Sequence, residues 1–224
     1  MTKYRNVAII LGGGINGLGL ARNLGRNGVP VYCVVDNVDE AIYSRYVTKY
    51  FVVRHIQEER GILRLFLAEL ENKLSNYALL FPTTDLFSLH LSDLKDELED
   101  NYHLLLPKAE VVKTLVEKKR FYLSLFKYKV PHPTTFFPES VKDARGISKE
   151  IKYPVFIRPS ISQIFHRKFG KKGFIAISDR ELIHYYLLAS KHKIDIMLQE
   201  VIPGPAKDIY GIAGYLNRNT CPKA

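Results

Sequence analysis

Several groups of residues in this sequence have the chemistry to bind or activate a ligand. Gly12, Gly14 and Gly17 fall in the spacing G-x-G-x-x-G, between the apolar run Val7 to Leu11 and a stretch of helical periodicity. Glycines there permit a tight turn, and a helix amino terminus offers free N–H groups to an anion. With Asp36 closing the next apolar run, the pattern matches a dinucleotide-binding fingerprint. Any strand-to-helix turn in a doubly wound sheet also gains from glycine. A substrate carboxylate held at Gly13, Gly14 and Asn16, or simple packing of helix on sheet, therefore remains open beside the dinucleotide reading. A P-loop is excluded, because Leu18 follows Gly17 where Lys and Ser/Thr are required. No histidine pair has the H-E-x-x-H spacing of a metal site, and His132, set between Pro131 and Pro133, reads as a loop residue. No metal-binding residues are expected, and no serine or cysteine nucleophile elbow is visible.

The chain of 224 residues has 46% hydrophobic and 25% charged residues, the balance of an ordinary globular protein with a buried core. Cys33 and Cys221 are too few for a disulfide framework, and Cys33 sits in an apolar run as a small hydrophobe. A reducing, cytoplasmic setting is expected. No apolar stretch approaches the roughly 20 residues that span a bilayer, and Met1 to Arg5 lead into a buried strand rather than a signal peptide, so no membrane partner is expected. The formal charge of +10 favours anionic partners. The basic residues are spread along the sequence and no RRM or zinc-finger signature occurs, so no nucleic-acid partner is expected.

The elements that must position these residues follow from periodicity. Strands are predicted at 7–11, 30–35, 51–53, 78–81 and 104–106, with helices at 16–27, 62–74 and 84–98. Short apolar runs alternating with helices imply a parallel sheet covered on both faces. Thr83, Thr84 and Asp85 open the third helix. The sequence favours a helix cap there, with a substrate contact at Asp85 as the alternative. Further along, helices are predicted at 118–126, 141–150 and 179–191, the last opened by Asp179 as cap. Strands are predicted at 134–137, 155–157, 174–177, 196–202 and 209–216, the last closing in a turn at Asn217 to Asn219. A polar, basic loop is expected from Ser160 to Lys172. The predicted fold class is α/β, with domains at 1–113, 114–198 and 199–224.

Three motifs occur in order in the second part. Glu117-Lys118-Lys119-Arg120-Phe121-Tyr122 precedes Val130-Pro131-His132-Pro133-Thr134. Tyr153-Pro154-Val155-Phe156-Ile157-Arg158-Pro159 precedes the basic loop and Gly173-Phe174-Ile175-Ala176. Leu198-Gln199-Glu200-Val201-Ile202-Pro203-Gly204-Pro205 precedes Asp208. This order resembles the ATP-grasp superfamily, in particular carboxylate–amine ligases such as D-aspartate ligase and the large subunit of carbamoyl phosphate synthase, over nearly the whole chain. The resemblance implies a Rossmann-like pre-ATP-grasp domain, a small α+β ATP-grasp lobe and the start of an incomplete third lobe. It implies ATP as cofactor, with Lys118 and Arg158 as cations on the phosphates, since a guanidinium offers a bidentate fork to phosphate oxygens. Lys172, with Arg167, Lys168 and Lys171, would belong to a lid, although the loop has only Gly170 and Gly173 where the family is glycine-rich. Gln199, Glu200, Val201 and Ile202 would form the hinge that meets the adenine edge, and Asp208 would hold the ribose.

The ordinary alternatives stand beside these roles: Lys118 as a solvated helix lysine, the basic loop as a surface turn, and Gln199-Glu200 as a sheet edge. The family's magnesium ligands lie in the later half of its fold, and no acidic residue follows Asp208. The expectation is an amino-terminal portion that binds ATP weakly and does not catalyse alone, with a homodimer or a separate carboxy-terminal polypeptide as partner. The expected ligands are a nucleotide and a small acidic substrate. The competing readings are an NAD(P)-binding oxidoreductase domain and a non-catalytic module that senses a nucleotide or metabolite.

Overall fold

The computed structural model describes residues 6–74, 76–160, 162–212, 214–216 and 222–223. The expected turn at 217–219, Cys221 and the first five residues lie outside them. The chain divides into two compact units, Met1–Lys127 and Tyr128–Ala224.

In the first unit, β1 (Ala8–Leu11) leads into α1 (Ile15–Arg26), β2 (Val31–Val35), β3 (Lys49–Val52) and α2 (Arg60–Glu71). Then come β4 (Ala78–Pro82), α3 (Asp85–Asp93), α4 (Lys95–Leu98), β5 (Tyr102–Leu104), α5 (Ala109–Val116) and α6 (Lys118–Lys127). The five strands are all parallel, in the order β3-β2-β1-β4-β5. Every residue of β1 is buried, because this central strand has an apolar layer on each side. Ile9 and Leu11 pack with Leu63, Leu67, Phe87 and Leu91 from α2 and α3. Ile10 faces the other way, with Ala21 of α1 and Val31. A continuous apolar run is what such a doubly covered strand demands, and each aliphatic side chain so buried contributes about 1.5–3 kcal/mol. The polar groups that enter this core are satisfied: the buried Tyr102 hydroxyl donates to Leu67 O at 2.7 Å. Burial, and secondarily Asp39, push the Cys33 thiol up to about 11, which keeps it an unreactive packing group.

The predicted helix over 84–98 is two helices. The chain breaks at Leu94, which ends α3 and caps α4 while itself being buried. Thr84 caps α3 by accepting from the Phe87 N–H at 3.4 Å, as the cap reading expects. The sequence boundary at 113 differs from the division seen at Lys127. The reason is packing: α5 rests on α3, and α6 rests on α5.

The second unit holds β6 (Thr135–Phe136), α7 (Val141–Glu150), β7 (Val155–Pro159), α8 (Ser162–Phe169), β8 (Phe174–Ala176), α9 (Asp179–Lys191) and β9 (Ile196–Glu200), and a short pair, β10 (Tyr215–Leu216) and β11 (Pro222–Lys223). The main sheet is antiparallel, in the order β6-β9-β7-β8. One face carries Val155, Ile157, Ala176, Ile196 and Leu198, covered by Ala144 and Ile151 from α7 and its end and by Leu182, Tyr186 and Ala189 from α9. Because strand side chains alternate, Phe156, Arg158, Met197, Gln199 and Thr135 belong to the opposite face.

Three local expectations are corrected here. The basic stretch 160–172 is not wholly a loop, since Ser162–Phe169 is helical. Phe165 and Phe169, four residues apart, share one helix face and pack on Phe174 with centroids at 5.0 and 5.3 Å, and Phe165 is fully buried. The cap of α9 is Ser178 rather than Asp179: its side chain accepts from Glu181 N at 3.3 Å, while Glu181 reaches back to Ile177 N at 2.9 Å. The predicted strand over 209–216 is confined to Tyr215–Leu216, and a short 3-10 turn spans Ala206–Asp208 instead.

The glycine turn gives a matched pair of expected outcomes. Gly12 has φ +104° and no room for a Cβ beside Thr83, whereas Gly19 in α1 faces open space. Gly12→Ala should destabilise the fold by about 1–3 kcal/mol, and Gly19→Ala should stabilise it by roughly 0.5–1 kcal/mol. Urea denaturation of both variants checks the signs.

Candidate functional site

The strand order reverses between β1 and β4, and at that switch point the loops after these strands come together. The Thr83 hydroxyl donates to Leu11 O at 2.8 Å, and Asn16 Nδ2 donates to Thr83 O at 3.4 Å. Gly13 O accepts from Ala41 N at 2.8 Å. A Cβ on Gly13 would lie 2.6 Å from Val35 Cγ1 and 2.9 Å from Asp39 Cβ, and one on Gly17 would strike Gly12 O. Each of these glycines is thus required by the protein's own packing. The Asp39 carboxylate, which accepts from Glu40 N at 3.0 Å, stands near Gly14 at the start of α1. Asp36, the acid a dinucleotide ribose would need, accepts from Gln57 N at 3.0 Å. Asp85 is exposed in the first turn of α3. Gly13, Gly14 and Asn16 thus stand at the loop after β1 and the start of α1, tied through Asn16 to the loop after β4, and Asp85 stands in the first turn of α3.

In the second unit the decisive group is Gln199, only 4% exposed at the centre of the sheet. It lies opposite Thr135 of β6 on one side and Phe156 of β7 on the other. Its Oε1 accepts from Arg158 Nη1 at 2.8 Å, and its Nε2 donates to Thr135 Oγ1 at 2.9 Å. Thr135 in turn donates to Pro133 O at 2.7 Å. The direction of this chain is forced. The threonine proton goes to a carbonyl that can only accept, so Thr135 must accept from the amide, and the amide oxygen must face the guanidinium. The Arg158 guanidinium also lies over the Phe156 ring, 5.3 Å from its centroid. One face of the sheet thus holds a half-buried cation in a fixed position while four of its five N–H donors remain for another acceptor or solvent.

The hinge residues divide by role. Glu200 N donates to Thr134 O at 2.9 Å, and Glu200 Oε2 accepts from Thr134 N at 3.0 Å. Hydrogen bonds from Thr134, with a smaller pull from Lys152, hold this carboxyl below the usual glutamate range. Val201 and Ile202 are exposed, and among the described residues their N–H groups meet no acceptor. The adenine edge expected along 200–202 therefore has backbone donors at Val201 and Ile202, while Glu200 is committed to β6. Lys172 is exposed in the turn after α8, next to Gly173, which packs directly on Phe156 and Ile157. Asp208 is exposed at the end of the 3-10 turn, where its N–H donates to Pro205 O at 3.0 Å. Lys118, half-buried, is the first residue of α6 in the first unit. Sequence reasoning missed Thr135 and Phe156, because a lone threonine and a strand phenylalanine carry no spacing signal.

Comparison with solved structures places this architecture. An N5-carboxyaminoimidazole ribonucleotide synthetase in complex with ADP superposes with a TM-score of 0.66 at 14% identity, covering 89% of this chain and 48% of that one. The chain has an amino-terminal portion of the ATP-grasp fold. The same fold appears in the carboxyaminoimidazole ribonucleotide synthase of Aspergillus clavatus complexed with ATP, with a TM-score of 0.64 and 14% identity over 88% of this chain and 47% of that one. It appears again in the biotin carboxylase domain of Hydrogenobacter thermophilus 2-oxoglutarate carboxylase, crystallised as a dimer with MgADP, ADP and bicarbonate, with a TM-score of 0.64 and 17% identity over 88% of this chain and 44% of that one. The chain spans about half the length of these structures. No family model and no curated protein matches the sequence. Among the described residues no group of three or more His, Cys, Asp or Glu side chains is placed to hold a metal ion, and no helix is long and apolar enough to cross a membrane.

Two outcomes follow from this geometry. Gln199→Leu should cost about 1–3 kcal/mol, since it strips partners from two polar groups. Gln199→Leu combined with Thr135→Val should cost less than the two singles together, with a coupling of roughly 0.5 kcal/mol or more in a double-mutant cycle; strict additivity would refute the chain of hydrogen bonds. A carboxyl held below its unfolded pKa stabilises the fold above that unfolded value and loses this contribution as pH falls through the folded one. Thermal melts between neutral and acid pH should accordingly show a shallower acid-side decline in Glu200→Gln than in the parent.

Proposed function

We propose that this chain is the nucleotide-binding portion of an ATP-dependent carboxylate–amine ligase that works through an acyl phosphate. The observation that carries the reading is the guanidinium of Arg158, clamped by Gln199 on the sheet face opposite α7 and α9, with backbone donors at Val201 and Ile202 just past the end of the neighbouring strand β9. Support for the ligand comes from relatives of the fold whose crystals hold ADP, ATP or MgADP.

In this reading Val201 and Ile202 N–H groups meet the adenine edge, Phe156 supplies apolar contact, and Arg158 binds phosphate oxygens. A carboxylate oxygen attacks the γ-phosphorus as ADP leaves, forming the acyl phosphate, and an amine then attacks the acyl carbon as phosphate leaves. The protein's part is to hold charge in place: a fixed cation offsets the repulsion between an incoming carboxylate and the triphosphate without reorganising during the reaction. Lys172 would close over the phosphates, Asp208 would take the ribose hydroxyls, and Gly13, Gly14, Asn16 and Asp85 would border the pocket for a small acidic substrate. Magnesium supplies further charge neutralisation when it accompanies the nucleotide, but the described residues gather no ligand set for it.

Isothermal titration with ATP tests the proposal. Binding is expected for the parent, with Arg158→Ala weakening it about tenfold or more, the loss of roughly one charge-assisted contact. Lys118→Met tests separately the second cation that the resemblance assigns. A melting-temperature rise with NADH and none with ATP would establish the oxidoreductase reading instead.

A further inference from the structure

One group of cations in the first unit has no acid to answer it. Tyr46, half-buried, leans on the end of α1, where Gly25 leaves no room for a side chain. A Cβ there would lie 2.5 Å from Tyr46 Cβ and 2.9 Å from its Cδ1. Val47 beside it packs into the apolar layer between α1 and the sheet, and Thr48 N donates to Val31 O at 2.8 Å, so the ring is fixed in place. Two exposed arginines attend it. Arg45 Nη2 donates to the Tyr46 hydroxyl at 2.9 Å, with its guanidinium carbon 4.9 Å from the ring centroid. The Arg26 guanidinium, from the last turn of α1, lies 6.0 Å from the same centroid. Both act on the phenol end of the ring: Arg45 first and Arg26 second hold this hydroxyl below the usual tyrosine range.

Charge counted over the surrounding elements leaves the pair unneutralised. Residues 15–35, from α1 through β2, carry Arg22 and Arg26 and no acid, and residues 41–57 add Arg45, Lys49 and Arg54 with no acid. The intervening acids are Asp36, Asp39 and Glu40, and they stand at the other end of the layer. Asp36 accepts from Gln57 N, Asp39 lies near Gly14 at the start of α1, and Glu40 precedes Ala41, whose N–H donates to Gly13 O. A helix of 12 residues is about 18 Å long, and Arg26 sits at its far end. Among the described residues no ion pair uses Arg22, Arg26 or Arg45. We propose that Arg26, Arg45 and Tyr46 form a binding site for a phosphate dianion, either free phosphate or the terminal group of a phosphomonoester.

The donor set selects this ligand. The carboxyl end of α1 accounts for one cation, because the helix dipole favours Arg26 there. It does not account for a second on the same phenol, and their repulsion is relieved only when an anion joins them. Arg45 spends one of its five N–H donors on Tyr46, and the phenol, accepting that bond, keeps its own proton for another acceptor. Two guanidiniums and a hydroxyl thus offer three donor groups and two positive charges. A carboxylate brings two oxygens and one charge. A phosphate brings at least three oxygens and nearly two charges, and guanidinium forks match its geometry. The site stands at the amino ends of β2 and β3, where Thr48 meets Val31. The loops at Asn16 and Thr83 stand at the carboxyl ends of β1 and β4, so this is a separate site from the switch point.

Nuclear magnetic resonance of the full chain, with labelled tyrosine rings and arginine side chains, tests the assignment. Inorganic phosphate, ribose 5-phosphate and acetate are each titrated at constant ionic strength, and the Tyr46 signal is identified by its loss in Tyr46→Phe. Saturable shifts at Tyr46 and Arg45 are expected with a Kd of about 1 mM or tighter for phosphate, the ester or both. The double variant Arg26→Gln, Arg45→Gln should bind at least about tenfold more weakly. Arg158→Ala should leave the Tyr46 response unchanged. Bound phosphate should also raise the Tyr46 pKa, because a neighbouring negative charge disfavours phenolate; a ring contact that is only structural would not respond. The proposal falls if neither phosphate source shifts Tyr46 saturably, or if acetate binds there as tightly. It falls equally if the double variant binds as the parent does, or if Arg158→Ala abolishes the Tyr46 response.

Discussion

A buried amide with two polar ends must find a partner for each, and in this protein that requirement organises the functional face of the second unit. Gln199 cannot be hydrated at the centre of the sheet, so β6 and β7 must each bring a complementary group to it. β6 brings Thr135, whose own proton is already given to Pro133 O, and β7 brings Arg158. The consequence reaches past the network itself. A long arginine side chain at a strand end would ordinarily lose considerable entropy on binding an anion. Held by Gln199 and stacked on Phe156, Arg158 has already been ordered by folding, so less of that cost falls on the ligand. The same logic separates the members of the hinge. Glu200 is consumed in fastening β9 to the start of β6, which leaves the next two backbone N–H groups at the sheet's end for another partner.

Much of this fold was legible in the sequence because its signals are periodic. The runs at 7–11 and 30–35 read as covered strands, and α7 and α9 begin and end where helical spacing puts them. The misses share a cause: tertiary contact overrode a local signal. Basic and polar residues in 160–172 masked Phe165 and Phe169, whose value appears only when Phe174 and His192 are brought beside them. Leu94 looked like one more helical leucine, yet its burial at the break between α3 and α4 sets the turn. For the site, Arg158 and the Gln199-Glu200 pair stood out by order and spacing. Thr135 and Phe156 did not, because the register that places them against Gln199 and Arg158 is a property of the sheet.

The glycine-rich turn shows how a motif can be accounted for by its own fold. The spacing G-x-G-x-x-G is a demand for close approach, and close approach can be to a ligand or to the protein. Here Gly12 gives way to Thr83, Gly13 to Val35 and Asp39, and Gly17 to the Gly12 carbonyl. The Asp39 carboxylate brings negative charge near the start of α1, where the helix dipole would otherwise favour an anion from solution. Asp36 is likewise engaged with Gln57. At the switch point the groups outside this packing are the Asn16 amide, which reaches Thr83 O, and the exposed Asp85, rather than a bare helix terminus.

The distribution of charge follows a similar economy of commitment. In the first unit, cations of α2, α5 and α6 are tied to acids: Arg60 and Lys113 share Asp93, Arg64 meets Glu97, and Arg120 meets Glu110 and Glu117. In the second, Asp143, Asp179, Glu181 and Glu200 each accept from a backbone N–H, and among the described residues Lys142, Arg145, Lys149, Arg180, Lys191 and Lys193 enter no ion pair. On α7 and α9 five cations stand among four acids, and exposure to water and salt keeps the interactions among them weak. What secures the two helices is the apolar layer beneath, where α7 and α9 together bury the inner face of the sheet. The unit therefore holds one fixed cation on one side of its sheet and, on the other side, two helices whose charged outer faces are mixed in sign.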